Sequence, residues 1–275
     1  LHSGLGELRR IRLIDFELIE NNSDELARQY ANGKPFECVV IDGFLTAEGL
    51  EALETDKLIQ TQSSKEFSSD FVFAKNKIEN PLLENISPEL AALKSELLSD
   101  RFRKILCKIV NKDVFLDDSF TGGGLHQGLN GSYLEMHTDF TRHPTNLEWV
   151  RELNLLLYLN KGWKPEYGGC LDLENDEDGE KISIEPLENR MVIMLTKPHT
   201  IHGYKAINFP NHTMRTSVAA YAYSIHDGIQ SIPYASTKWY PKNPMKYLLS
   251  LLTNKIVPIK QKLFGSRTAD RAKRK

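Results

Sequence analysis

The sequence predicts a mainly β chain with flanking helices (α+β), built around an antiparallel double-sheet roll. Three observations lead there. Between about Asp113 and Tyr223, seven or eight short apolar-alternating runs follow one another, separated by Gly, Asn and Pro turn signals. One of them, Val150 to Asn160, is almost continuously apolar, as in a strand buried on both faces. Ahead of these runs the periodicity is helical.

Taken in order, residues 7 to 34 are charged and weakly periodic, which suits peripheral helices. Phe36 to Leu45 reads as a strand entering a turn, and Thr46 is placed to cap a helix through about Gln60. Residues 61 to 80 alternate polar and aromatic side chains without a readable period. Ser87-Pro88-Glu89 is a helix start, with a cap, a proline at the first position and an early acid. Leu90, Leu93, Leu97, Phe102, Ile105, Leu106 and Ile109 then recur at helical spacing as one core-facing helix to Asn111. Strands follow, with the acidic stretch Glu174 to Glu180 as a solvated hairpin tip. Met245, Tyr247, Leu248, Leu249, Leu251, Leu252, Ile256 and Val257 outline an amphipathic helix, with lysines opposite, that Pro258 should break. The expected layout is an N-terminal helical and strand segment (1–112), a core (113–228) and a basic, partly helical extension (229–275), together one structural domain.

The 275 residues carry a formal net charge of −2, which gives no whole-chain case for nucleic-acid binding. The charge is uneven, however: ten Lys or Arg and one acid lie between Pro241 and Lys275. Three dispersed cysteines without CxxC spacing read as reduced thiols. No apolar run reaches the roughly 20 residues a membrane span needs. The opening Leu1-His2-Ser3-Gly4-Leu5-Gly6 has no signal-peptide core and reads as a trimmed end. A cytoplasmic enzyme is the expectation.

The chemistry concentrates at Gly131 to Phe140. His137 and Asp139 are two apart, so on a strand both project from one face toward one point. A third metal ligand has to come from elsewhere, and His199, His202 and His212 lie in range. His202 is favoured because it follows a strand-like run and precedes Gly203. Two histidines and one carboxylate with an open opposite face form the ligand set of a non-haem Fe(II) oxygenase. Arg215 is thirteen residues beyond His202, which leaves room for a hairpin turn between adjacent strands. A guanidinium there can hold a carboxylate in two-pronged fashion, and Ser217, two residues on, faces the same side. Tyr158 is a second candidate donor to that carboxylate, or else a core tyrosine with a satisfied hydroxyl. Asn154, on the same strand face as Tyr158, is a buried amide that should hydrogen-bond an iron ligand or the cosubstrate.

In order and spacing, these pieces resemble the prolyl-4-hydroxylase-like branch of the 2-oxoglutarate/Fe(II) dioxygenases. The resemblance runs from about Gly122 to Ser224, through His137-Thr138-Asp139, Leu153 to Asn160, Gly168-Gly169, Ile184-Glu185-Pro186, Asn189-Arg190, His202-Gly203 and Arg215-Thr216-Ser217. It implies a double-stranded β-helix (jelly-roll, cupin-like) core, with iron at His137, Asp139 and His202. It also implies 2-oxoglutarate held by Arg215 with help from Tyr158, dioxygen as co-substrate, and ascorbate in support. The sequence departs from the branch at His126 and Gln127, near the place of a cosubstrate-reaching tyrosine.

The resemblance thus implies a hydroxylase acting on a C–H bond with release of succinate and CO2. Its substrate would be a peptidyl proline, or else a sugar, a lipid-linked glycan or a small metabolite. A non-catalytic metal- or sugar-binding jelly roll, or a zinc enzyme with the same ligands, would not need Arg215 and Ser217. The loops Ser119–Asn130 and Thr141–Glu148 should line the entrance, where Arg142, His143 and Asn146 are either compatible with a polar or anionic substrate or ordinary loop residues. Residues 241–275 read either as a helix with a frayed basic end or as an arm that meets an anionic or membrane surface.

Overall fold

The computed structural model describes residues 12–55, 68–210, 213–226 and 235–264. Strand β1 (Cys38–Asp42) precedes the hairpin β2 (Ser68–Phe71) and β3 (Ala74–Asn80). The long β5 (Gly124–Thr138) follows the short β4 (Phe115–Leu116), and then come β6 (Trp149–Tyr158), β7 (Leu171–Asn175) and β8 (Lys181–Ile184). The remaining strands are β9 (Arg190–Leu195), β10 (Thr200–Tyr204), β11 (Arg215–Ile225) and β12 (Lys238–Trp239). Their hydrogen-bonded order is β1-β9-β6-β11-β5-β10-β7-β8, and the pairings are antiparallel. This curled sheet is the expected double-stranded β-helix.

β5 joins the two halves of the roll. Its first residues pair with β11 on one edge, and its last residues pair with β10 on that same edge. The opposite edge carries β3 and then β12. The hairpin expected between β10 and β11 is therefore absent as a pairing: the two strands bond successive stretches of β5 and not each other.

The period of two explains which side chain goes where. On β6, Leu153, Leu155 and Leu157 face the main hydrophobic core, while Asn154 and Leu156 face the interior of the roll. On β11, Val218, Ala220 and Ala222 join that core, while Arg215, Ser217 and Tyr221 turn inward. Helices supply the other side of the core through Phe16, Ile19, Leu90, Leu93, Phe102, Leu106 and Ile109. A second cluster, with Leu171, Leu173, Ile184, Val192 and Met194, lies on the far side of β9. Segments outside 113–228 enter the sheet directly, through β1, β3 and β12.

Several local readings are refined. Thr46 caps as expected, its Oγ1 accepting from the Gly49 amide at 2.9 Å, and the helix Ala47–Thr55 follows; residues 56–60 lie outside the described residues. The stretch without a readable period contains the β2–β3 hairpin. The single helix expected up to Asn111 is two helices, Pro88–Leu97 and Asp100–Val110. Ser87 and Ser99 each accept from the amide three residues on, at 3.2 Å, so Ser99 starts a second helix where apolar spacing alone suggested continuity. Pro258 does not break the last helix, which runs from Pro244 to Phe264. The missing proline N–H removes one bond, and the neighbouring turns carry the backbone through.

Asn189 ties β1 to β9. It sits at φ 57, accepts from the Leu45 amide at 2.7 Å and donates to the Leu45 carbonyl at 3.0 Å. Asn189→Ala forfeits both bonds and retains the left-handed backbone, so stability should fall by roughly 2–3 kcal/mol. Urea unfolding with an unchanged m-value would show this.

Candidate active site

The site forms where β5 meets β10. Their register sets His202 opposite His137, with ring centroids 4.3 Å apart. Gly203 permits this approach, since a Cβ there would lie 2.7 Å from the Leu134 carbonyl oxygen. The His137 Nδ1–H donates to the Glu135 carbonyl at 2.9 Å, which leaves Nε2 to face Asp139 Oδ1 at 3.6 Å. His202 Nε2 lies 3.4 Å from Asp139 Oδ2. One donor atom from each of the three side chains falls within 4.8 Å of the others, and this is the one such cluster found among the described residues.

Asp139 is braced from behind. Its Oδ2 accepts from Asn154 Nδ2 at 2.8 Å and from Arg151 Nη2 at 2.9 Å. Arg151 also donates to Asn154 Oδ1 at 2.7 and 3.1 Å, and its guanidinium lies 3.5 Å from the centre of the Tyr221 ring. Burial by itself would raise the Asp139 carboxyl, but Arg151 and the two histidines outweigh it and hold the group well below the usual carboxylate range. Burial pulls His202 down to about 3, so its imidazole is neutral, and its Nδ1 is buried without a hydrogen-bond partner. On the outer side, Trp239 of β12 stacks on His137 with centroids 4.9 Å apart, and Phe73 stacks on Trp239 at 5.0 Å.

One cavity holds these groups together with Arg215 and Ser217, and Lys77, His126, Gln127 and Tyr204 also line it. Arg215 is fixed from two sides: Nε donates to the Gly169 carbonyl at 2.7 Å and Nη2 to the Tyr158 hydroxyl at 3.2 Å. It also lies over the Tyr204 ring at 4.3 Å. Gly169, at φ +77, must stay a glycine, because a Cβ there would come within 3.0 Å of Arg215 Cδ. Tyr158 is fully buried and sits beside Arg215, not on the cavity wall. An adjoining chamber of about 230 Å³ opens past His137 and Asp139, between Phe71, Phe140, Arg151, Tyr221 and Trp239. Lys77 and Glu79 border it, ion-paired at 2.6 Å.

The structure therefore brings together His137, Asp139, His202, Asn154, Arg215 and Ser217, with Tyr158 one contact behind. His199 stands apart, 3.8 Å from Glu177, and His212 lies outside the described residues. The entrance differs from expectation in one loop. His126, Gln127 and Gly128 do line the site, but Arg142 and His143 are buried, His143 being bonded to Asp117, Thr145 and Asn146. Sequence reasoning missed Lys77, Arg151, Tyr204 and Trp239. Arg151 did leave a signal, as a charge in an otherwise buried strand requires a buried partner; Trp239 left none.

Comparison with known proteins is decisive for the core. Residues 123–223 match the model of the 2OG-Fe(II) oxygenase superfamily. Residues 123–223 are a 2OG-Fe(II) oxygenase domain. The fold agrees with solved structures of low sequence identity. A Pseudomonas putida prolyl-4-hydroxylase superposes with TM-score 0.50 at 16% identity, covering 75% of this chain and 100% of its own. A Phytophthora capsici prolyl 4-hydroxylase gives 0.52 at 20%, over 80% and 68%. A Trichoplax adhaerens prolyl hydroxylase, solved with a hypoxia inducible factor peptide fragment, gives 0.51 at 15%, over 78% and 94%. No curated protein matches in sequence. The oxygenase domain makes the protein an enzyme, a dioxygenase, whose cofactors are Fe(II), 2-oxoglutarate and O2. The cavity suits them: an ionised carboxylate and imidazoles presenting Nε2 are the donor states a divalent iron needs, and a buried guanidinium lines the same space.

Asn154 orients one ligand candidate without being one. Asn154→Ala should weaken metal binding by roughly 10- to 100-fold, measured by Co(II) titration of the chelated protein, with thermal unfolding run in parallel.

Proposed function

We propose that His137, Asp139 and His202 hold the iron, and that Arg215 and Ser217 grip the distal carboxylate of 2-oxoglutarate, with Tyr158 fixing the guanidinium. The enzyme then hydroxylates a C–H bond of its substrate and releases succinate and CO2. One observation carries this reading: the three-donor cluster and the buried Arg215 line a single cavity. Dioxygen would be the oxidant, with iron as its site and 2-oxoglutarate as the second reductant, so that one oxygen atom ends in the substrate hydroxyl and the other in succinate; the protein supplies placement.

Each residue has a defined task. Glu135 fixes the His137 ring through Nδ1, so that Nε2 is the free lone pair. Arg151 and Asn154 keep Asp139 ionised and immobile. Gly169 and Tyr158 fix Arg215 at Nε and Nη2, leaving Nη1 for a ligand carboxylate. The chamber bounded by Phe71, Phe140, Tyr221 and Trp239 receives the substrate and shields it from water.

A prolyl-4-hydroxylase-like reaction on a compact, partly apolar group is the leading substrate reading. It is supported by the aromatic walls and by the fold shared with prolyl hydroxylases. A second reading, hydroxylation of a sugar, glycan or polar metabolite, is favoured by the Lys77–Glu79 pair on the same wall, which offers both donors and acceptors.

Succinate formation from 2-oxoglutarate with Fe(II) and ascorbate, screened over prolyl peptides, glycans and metabolites, tests the proposal. Arg215→Ala removes a charge-assisted bond worth roughly 1.5–3 kcal/mol, so the 2-oxoglutarate requirement should rise by about 10- to 150-fold. His137→Ala should abolish turnover. Retained turnover in His202→Ala with loss in His199→Ala would move the third ligand to His199.

A further inference from the structure

The helix Pro244–Phe264 is attached to the protein by its polar side. Ser250 is buried, and Asn254 makes two bonds to the Trp239 backbone, accepting from its amide at 3.0 Å and donating to its carbonyl at 3.2 Å. Lys246 bonds Glu135 at 2.5 Å and lies over the Tyr133 ring at 4.1 Å. The apolar side consequently faces solvent. Met245 is 84% exposed, Leu248 65%, Leu252 55% and Ile256 57%. These positions are spaced by three, four and four residues, which is one stripe of an α-helix. Seven of the twelve exposed large hydrophobic side chains among the described residues belong to this one helix.

A helix of a water-soluble surface normally does the reverse, burying its apolar stripe against the core. Charge indicates what covers this one. The helix carries Lys246, Lys255, Lys260 and Lys262 and no acid, and the sequence from Pro241 to Lys275 has ten basic residues against Asp270. Lys255, next to Ile256, is exposed beside the stripe, and Lys242, just ahead of the helix, is exposed as well. An apolar stripe edged by lysines matches an anionic lipid surface, with the side chains entering the acyl boundary and the ammonium groups meeting phosphate. A second copy of the chain would set these lysines against one another. No described helix is long and apolar enough to cross a membrane, so the contact would be peripheral.

We propose that this helix lays the protein on an anionic membrane surface. The proposal rests on the helix alone and is independent of the chemistry assigned to the cavity. Asn254 adds a consequence: the docked helix also holds Trp239, which stacks on His137, so the lipid contact and the site share one strand.

The test uses the full chain in flotation with phosphatidylcholine vesicles, with and without phosphatidylserine. Binding should require phosphatidylserine and fall steeply with salt, since each basic residue near such a surface contributes roughly fivefold. The triple variant Leu248→Ser, Leu252→Ser, Ile256→Ser replaces exposed side chains, so turnover and unfolding should be unchanged while vesicle binding drops by more than about tenfold. Absence of binding to anionic vesicles at low salt would overturn the proposal. So would equal binding by the variant, or a dimer in light scattering that the variant abolishes without any vesicle binding.

Discussion

The ion pair between Asp139 and Arg151 is the constraint from which the rest of the site follows. Both groups are withdrawn from water, Arg151 almost completely. Such a pair depends on good geometry and on further hydrogen bonds, here made by all of the guanidinium but Nη1, and removing one partner costs roughly 3–5 kcal/mol. Asn154 provides them by bridging the two. Tyr221 and Phe140 provide ring faces for the guanidinium. The consequence for chemistry is that Asp139 stays ionised beside two imidazoles. The consequence for stability is that an alanine at Asp139 would strand a buried cation, so loss of activity in that variant would mix chemistry with folding. Histidine substitutions avoid that confusion.

The pair also explains the architecture around it. β6 has to be central, because it carries Arg151, Glu152 and Asn154 buried among apolar residues and needs both faces covered. β5 has to be long, because it pairs with β11 at one end, setting Ser217 against His126, and with β10 at the other, setting His202 against His137. The metal-ligand candidates and the proposed carboxylate clamp therefore share one cavity although they stand on three strands. Gly203 and Gly169 are the two places where backbone or guanidinium comes too close for a Cβ.

Much of this was legible in the residues, and for definite reasons. The period of two exposes strands, so the roll and the inward positions 154, 215 and 217 could be read directly. His137-x-Asp139 is a same-face pair by geometry alone. Where the reading stopped, the missing information was tertiary. Ser99 divides a helix because a hydroxyl finds the Phe102 amide, and apolar spacing is blind to that. The choice among His199, His202 and His212 needed the register of β10. Arg142 and His143 look like ordinary loop residues, yet Asp117 draws His143 inward.

The division of labour along the chain follows from the same geometry. Residues 123–223, which match the oxygenase model, supply the three clustered donors and Arg215, the parts a common reaction requires. The adjoining chamber is completed largely from outside that span, by Phe71, Lys77 and Glu79 from the hairpin and by Thr237 and Trp239 from the last strand. Trp239 is held in turn by Asn254 of the helix whose apolar stripe faces solvent. On the proposed reading, the common reaction and the individual substrate come from different segments, joined at His137, where β10 lies on one edge and β12 on the other. β12 is kept in register beside the histidine from three sides: by its pairing with β5, by the Phe71 and Phe73 rings against Trp239, and by the two bonds from Asn254.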